Sequence, residues 1–277
     1  MELESRLYDC VLVSDSHLLS QLLVTPGIDP NWRNAGYYSW TPLHVACSKY
    51  ARGHLGVIRQ LLSCPQIEVN CVSRDSMTPL AIACESGLLE VIEVLLRDPR
   101  VNVNLADDQS MTPLWKAVSD NQGDVVRRLL ASRHRIDVHL RGKVFPSGAE
   151  VSPLEVGEAR GHLELVELLR RFISDEDLTR HELRVELGFP EARSVELCAL
   201  IVLLCDDYLV VRGNGGEAGG EGSSPETTRR FFAMVTRLPL ELQKILCLRA
   251  FGSARSGIRC KQSELGFCCI LRKFAME

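Results

Sequence analysis

The sequence lacks any apolar run long enough to cross a membrane. The longest uncharged apolar run worth testing as a span covers residues 197–205, whereas about 20 residues are needed to cross a bilayer. A basic leader is also missing, because the first five residues include two glutamates and no Lys or Arg. We therefore expect no transmembrane segment and no signal peptide, and we interpret the apolar run as a buried helix.

The sequence also lacks the residue spacing of a metal site. The 11 cysteines include no Cys-x-x-Cys pair, and the seven histidines lie far along the chain from the late cysteines. The number of cysteines is odd, and most of them fall in apolar helical patterns where a small hydrophobic residue fits. These features predict a reducing intracellular location, either cytoplasmic or nuclear, with no bound metal.

Motifs for covalent chemistry are absent as well. We find no nucleophile elbow, phosphate-binding loop, metal-binding motif or framed pair of carboxylates. Gly213, Gly215 and Ala218 have the spacing of a dinucleotide-binding fingerprint, but more glycine and serine follow where a helix would have to begin. The sequence predicts a protein that is not an enzyme and uses no cofactor.

The chain has the composition of a globular protein, with 45% hydrophobic residues among 277. Its net charge of -4 gives no general attraction to nucleic acid. Residues 229–277 carry ten Lys and Arg against three Asp and Glu, a net charge of +7, so residues 1–228 carry -11. The basic segment is either a solvated face or a site for an acidic protein, and nucleic acid is the least favoured partner.

A hydroxyl residue followed by Pro and Leu recurs in four copies, which are 37, 34 and 40 residues apart. The hydroxyl group can cap the free N–H groups of a helix start, and proline is tolerated at the first helical position. The copies therefore predict four helix N-termini, at Thr41-Pro42, Thr78-Pro79, Thr112-Pro113 and Ser152-Pro153.

A second amphipathic helix is predicted after each copy, within residues 56–62, 88–96, 125–130 and 161–169. Short alternating stretches at residues 28–32, 67–70 and 101–104 predict extended fingers that lead into the next helix pair. Residues 7–12 and 16–23 indicate a degenerate first pair. Residues 1–173 thus contain five predicted units.

The period and the phrase Thr-Pro-Leu-His-x-Ala, complete at residues 41–46, resemble the ankyrin-repeat family. The resemblance implies an all-α fold, a solenoid of helix pairs with short β-turn fingers followed by a small helical C-terminal domain. It gives His44 a structural role, hydrogen bonding within the repeat. Ala81, Trp115 and Glu155 occupy the corresponding positions of the other copies.

The family resemblance also implies an unidentified protein partner, bound by the finger tips and the first helices. Insertions at residues 49–53 and 141–150 indicate which face carries that site. Transferring the family's contact positions to this chain gives sixteen predicted partner contacts: Tyr37, Tyr38, Trp40, Val45, Ser48, Lys49, Arg74, Asp75, Met77, Ile82, Glu85, Asp108, Gln109, Met111, Lys116 and Asp120.

Beyond the repeats, we predict a helical cap at residues 174–211, a glycine-rich flexible linker at 212–228 and a small basic helical domain at 229–277. The stretch at residues 238–242, Leu-Pro-Leu-Glu-Leu, resembles the first helix of F-box domains and of PRANC modules. The resemblance implies docking of a Skp-type ubiquitin-ligase adaptor on Leu238, Pro239, Leu242, Ile245 and Leu246. The alternative is an amphipathic helix that packs within its own domain.

Overall fold

The computed structural model describes residues 2–51, 55–144 and 146–189, together with Ala192 and Leu197. The chain divides into two compact parts, an N-terminal part, Met1–Ser174, and a C-terminal part, Asp175–Glu277. The predicted linker, the basic domain and the five predicted adaptor-docking residues all lie outside the described residues. In the C-terminal part, the structure describes one complete helix, α11 (Glu176–Glu186), which Asp175 caps by accepting a hydrogen bond from Leu178 N.

Ten helices of the N-terminal part form five consecutive pairs, and each pair is one repeat unit. The pairs are α1 (Glu2–Val13) with α2 (Ser16–Leu23), α3 (Pro42–Ala46) with α4 (Leu55–Ser63), α5 (Pro79–Glu85) with α6 (Leu89–Leu96), α7 (Pro113–Ser119) with α8 (Gly123–Ala131), and α9 (Pro153–Arg160) with α10 (Leu163–Ser174). Each first helix packs against the first helix of the next pair, and each second helix against the next second helix. The predicted all-α solenoid of helix pairs is confirmed.

The hydroxyl-Pro phrase begins α3, α5, α7 and α9. Thr78 Oγ1 accepts a hydrogen bond from Ala81 N at 3.1 Å, and Thr112 Oγ1 accepts one from Trp115 N at 3.2 Å. Ser152 does the same for Glu155 N, and the Glu155 carboxylate accepts a bond from Ser152 N in return. These local bonds satisfy N–H groups that have no partner inside the helix.

The core is a continuous row of aliphatic side chains along the stack. The largest fully buried side chains are Leu7, Leu19, Leu43, Ile58, Leu61, Ile92, Leu95, Leu114, Leu129, Leu130 and Leu169. Cys47 and Cys84 are buried among them, and burial raises the pKa of both thiols. These cysteines therefore stay protonated and pack as small hydrophobic residues.

Asparagine side chains tie each finger to the next. Asn31, Asn70 and Asn104 each donate to a backbone carbonyl of the following unit and accept from a backbone N–H there, at distances of 2.7–2.9 Å. For Asn70 the two partners are Arg100 O and Asn102 N. We define these three side chains as the asparagine ladder.

Two ring nitrogens provide a second link between successive units. His44 Nε2 lies 3.0 Å from Met77 O, and Trp115 Nε1 donates to Val151 O at 2.9 Å. Each acceptor is the residue directly before the next hydroxyl-Pro phrase. His44 thus bonds to the following unit as well as to Thr41 in its own unit. In the fourth unit, which has tryptophan at the position of His44, the Trp115 indole makes the corresponding bond.

The expanded loop at residues 141–150 contains a feature that the sequence did not predict. Strands β1 (Gly142–Val144) and β2 (Ala149–Val151) form an antiparallel hairpin, with Gly142 opposite Val151. Gly142 lies against the Trp115 ring, because a Cβ at this position would come within 3.0 Å of it. The hairpin therefore depends on a close contact between residues that are distant in sequence.

Candidate functional site

The finger of the second unit is longer than the fingers of the third and fourth. A backbone bond from Ser73 N to Met77 O closes the third finger, and the bond from Asp107 N to Met111 O closes the fourth, so each encloses three residues. In the second unit, the equivalent bond runs from Asn34 N to Trp40 O and encloses five residues. Two extra residues therefore project from this finger.

The longer finger holds two consecutive residues in the left-handed backbone region, Tyr38 at φ 50° and Ser39 at φ 55°. The third and fourth fingers each have a single serine in this region, Ser76 and Ser110. A bulky residue at positive φ is strained. The neighbouring finger supports this conformation, because Arg74 N donates to Tyr38 O at 2.8 Å.

Tyr37, Tyr38, Trp40 and Tyr50 form what we call the aromatic cluster. The Tyr37 ring centroid lies 5.7 Å from that of Tyr38, 5.0 Å from that of Trp40 and 6.1 Å from that of Tyr50, with ring planes at 85–87°. Tyr38 is 52% exposed and Tyr50 is 57% exposed. The cluster is thus an edge-to-face aromatic patch that remains open to solvent.

Tyr50 was not among the predicted contacts. It lies in a 3-10 helix, Lys49–Ala51, within the insertion that the sequence shows between the two helices of the second unit. The family pattern has no position that corresponds to Tyr50, so only the insertion itself could have indicated this residue. Both expansions of the second unit, in the finger and in the helix turn, therefore contribute to one aromatic cluster.

A cavity of about 430 Å³, which we call the cluster cavity, lies between side chains of the second and third units. Nine predicted contacts line it: Tyr37, Tyr38, Trp40, Ser48, Lys49, Asp75, Met77, Ile82 and Glu85. Tyr50, Ser73 and Ser86, which were not predicted, line it as well. A second cavity of about 300 Å³ shares Tyr37, Trp40 and Tyr50 with the first.

Three of the predicted contacts are buried. Val45, Ser48 and Ile82 are each at most 3% exposed. The Ser48 hydroxyl donates to Val45 O at 2.7 Å, so it closes the end of α3. The little surface that Ser48 and Ile82 expose lies at the cluster cavity, and Val45 lines the second cavity.

The predicted contacts of the fourth unit line neither of these two cavities. Lys116 Nζ lies 3.1 Å from an Asp107 carboxylate oxygen, and the other oxygen accepts bonds from Gln109 N and Met111 N. Lys116 therefore helps to hold its finger in place. Asp108 and Asp120 are exposed beside it. The fingers remain connected, since Asp108 N donates to Asp75 O at 3.3 Å.

Charge is unevenly distributed around the cluster cavity. Asp75 and Glu85 line it, and within the described part of the chain neither carboxylate has an ion-pair partner. Lys49 Nζ lies 5.8 Å from the Tyr50 ring centroid, over the ring face. Arg74, another predicted basic contact, donates from its guanidinium to Ala35 O at 3.2 Å.

Neither a membrane span nor a three-residue metal cluster is found in the part of the chain that the structure describes. No helix there is both long and apolar enough to cross a bilayer. No group of three or more His, Cys, Asp and Glu side chains there is arranged to hold a metal ion.

Stacked helix pairs that begin with a hydroxyl-Pro phrase and carry linked fingers define a repeat protein that presents one extended surface. The family model described as ankyrin repeats matches this chain in three copies, within residues 7–107 and 51–142. Residues 7–142 of this chain belong to the ankyrin-repeat family. A search of curated proteins gave no significant match.

Ankyrin repeats are modules for protein–protein interaction, so a protein partner is the general expectation for this chain. Proteins of the family are typically interaction modules and not enzymes.

Proposed function

We propose that this chain is a non-enzymatic scaffold that holds a partner protein on the aromatic cluster and the cluster cavity. The observation that carries the proposal is the convergence of two insertions. A finger extended by two residues and an expanded helix turn place Tyr38 and Tyr50 side by side with Tyr37 and Trp40. The longer finger is not needed to stack the repeats, because the third and fourth units stack without the extra residues.

The energetics of the cluster support an interaction role. Tyrosine and tryptophan dominate the energetic centres of protein interfaces, since they bury large areas and lose little conformational entropy. Tyr38 is both exposed and strained. A fold under selection for stability alone would place glycine or asparagine at this left-handed position. The tyrosine is therefore better explained by what it contacts outside the chain.

The scaffold is proposed to act in a reducing compartment, the cytoplasm or the nucleus. Cys10, Cys47, Cys64, Cys71 and Cys84, the cysteines that the structure describes, are all free thiols. Four of them are buried, which fits a chain that does not need disulfides for stability.

Replacing Tyr38 by asparagine should separate binding from stability. Asparagine accepts positive φ, so the stability of the chain should be unchanged or rise by up to about 1 kcal/mol. Loss of the ring should weaken partner binding by about tenfold. The measurements are thermal unfolding of the variant and its affinity, by surface plasmon resonance, for a partner captured with the tagged chain from its own cells.

The matched control is Leu163→Asn, which removes another exposed apolar side chain, 76% exposed, in the fifth unit. It should leave the affinity unchanged. If Tyr38→Asn also left the affinity unchanged, the partner would have to bind elsewhere on the array.

A second proposed role is recruitment of a ubiquitin ligase by the C-terminal segment. It is supported by the sequence pattern at residues 238–246, with Leu238, Pro239, Leu242, Ile245 and Leu246 as the docking residues for a Skp-type adaptor. Substituting aspartate for Leu242 and Ile245 should abolish co-purification of the adaptor with the tagged full chain. Failure to recover any adaptor with the unaltered chain would contradict the role and leave the ankyrin scaffold.

A further inference from the structure

Two kinds of group line the cluster cavity, and they come from different repeats. The aromatic side chains Tyr37, Trp40 and Tyr50 belong to the second unit, and the carboxylates of Asp75 and Glu85 belong to the third. The two units are held in register there by the bond from Arg74 N to Tyr38 O. A ligand in the cavity therefore meets ring faces from one repeat and negative charge from the next.

The carboxylates are available to an external cation. Asp75 and Glu85 are exposed, and neither has an ion-pair partner within the described part of the chain. Among the described residues that line the cavity, Lys49 is the only basic one, and Asp75 and Glu85 together carry more formal charge of the opposite sign. Attraction of a cation to this lining is reinforced wherever the ligand excludes water.

The ring faces are suited to the same kind of ligand. The Tyr37 plane lies nearly perpendicular to the planes of Tyr38, Trp40 and Tyr50. None of these three contacts of Tyr37 is therefore a parallel stack of two ring faces. Lys49 Nζ already lies over the Tyr50 ring at 5.8 Å, which is within the distance at which the negative face of a ring attracts a cation.

From these observations we propose that the cluster cavity receives an arginine side chain from a basic segment of the partner protein. Arginine fits better than lysine, because a planar guanidinium can stack on aromatic faces while its N–H groups donate to carboxylates. The cavity volume of about 430 Å³ accommodates such a side chain with part of its backbone. This inference rests on the proposed binding surface and adds the chemistry of its ligand.

Lys49 should oppose binding of the proposed arginine. Its ammonium group occupies the Tyr50 face and repels an incoming guanidinium. Lys49→Gln should therefore strengthen binding of an arginine-containing segment about threefold to tenfold. A merely structural role for Lys49 would not produce a gain in affinity.

The experiment uses the full chain as the target and selects peptides that bind it from a displayed library of random sequences. It makes no assumption about the natural partner. Selected peptides should contain an essential arginine, and replacing it by citrulline, which keeps the shape and loses the charge, should weaken binding about tenfold or more. The double variant Asp75→Asn, Glu85→Gln should weaken binding of the arginine peptide about fivefold to tenfold and leave the citrulline peptide unaffected.

Glu90→Gln serves as the control, because Glu90 is an exposed carboxylate that does not line the cavity. It should leave the affinity unchanged. Peptides that lose affinity in Tyr38→Asn but bind equally well with citrulline would overturn the arginine inference and leave the binding surface intact. Peptides insensitive to Tyr38→Asn and to the double variant would overturn both. A selection that yields no peptide would count against the arginine inference.

Discussion

Replacing Leu95 by alanine should lower the free energy of unfolding by about 2–5 kcal/mol. Leu95 is fully buried in α6, a helix that contacts α4 on one side and α8 on the other as well as α5 of its own unit. The substitution removes buried apolar atoms from the core and leaves a cavity that the surrounding helices only partly fill. Because stability in a repeat array is close to a sum over neighbouring interfaces, damage at a central helix affects the interfaces on both sides of it.

Urea denaturation of the full chain, followed by far-ultraviolet circular dichroism, measures this loss. Leu163→Ala is the matched control, since it makes the same chemical change at a leucine that is 76% exposed in α10. The control should change stability by less than about 0.5 kcal/mol. Equal losses in the two variants would mean that the assigned buried face of α6 is wrong.

Acid should destabilise the chain through His44. The His44 ring is buried, with Nδ1 accepting a bond from Thr41 N at 3.1 Å and Nε2 placed 3.0 Å from Met77 O. A carbonyl oxygen can only accept, so Nε2 carries the proton and the ring is neutral. A second proton on Nδ1 would face the Thr41 N–H group. Burial is the main reason that the pKa of His44 is lowered to about 4.

The direction of the effect follows from comparing the two states. In the unfolded chain the pKa of this histidine is about 6.5, so between pH 6.5 and pH 4 the unfolded state binds a proton that the folded state excludes. The stability contributed by the neutral ring is fully present above about pH 6.5. It is lost as the pH falls toward 4, by about 3 kcal/mol in total.

Urea denaturation at a series of pH values across this window measures the loss. His44→Gln places at this position an amide that can donate and accept hydrogen bonds but cannot titrate. The stability of the variant should therefore depend less on pH, and it should be lower than that of the unaltered chain at neutral pH. An identical slope for the two proteins would show that His44 is not the group responsible.

The repeat architecture was predictable because its determinants are local. The hydroxyl of Thr78 or Thr112 caps a helix three residues away, and proline fixes the first turn, so four helix starts could be placed from short stretches of sequence. The β1–β2 hairpin was not predictable in this way. It depends on the Trp115 ring, which lies against Gly142 and donates to Val151, 36 residues along the chain.

The candidate site was predictable only in part, and for a similar reason. Transfer of family positions placed Tyr37, Tyr38 and Trp40 at the cluster cavity, because these residues belong to the repeating finger. The same transfer could not find Tyr50, which has no counterpart in the repeat. It also gave no measure of burial, so it did not show that Val45 and Ile82 are almost entirely buried.

The asparagine ladder has a consequence for how such an array can change in length. The side-chain bonds of Asn31, Asn70 and Asn104 all go to backbone atoms of the next unit. These bonds make no demand on which side chains the next unit carries, and the second, third and fourth units each bring their own asparagine. A gene duplication or deletion of one of these repeats therefore leaves the backbone bonds of the ladder complete. The number of repeats is free to vary during evolution while the outer surfaces diverge.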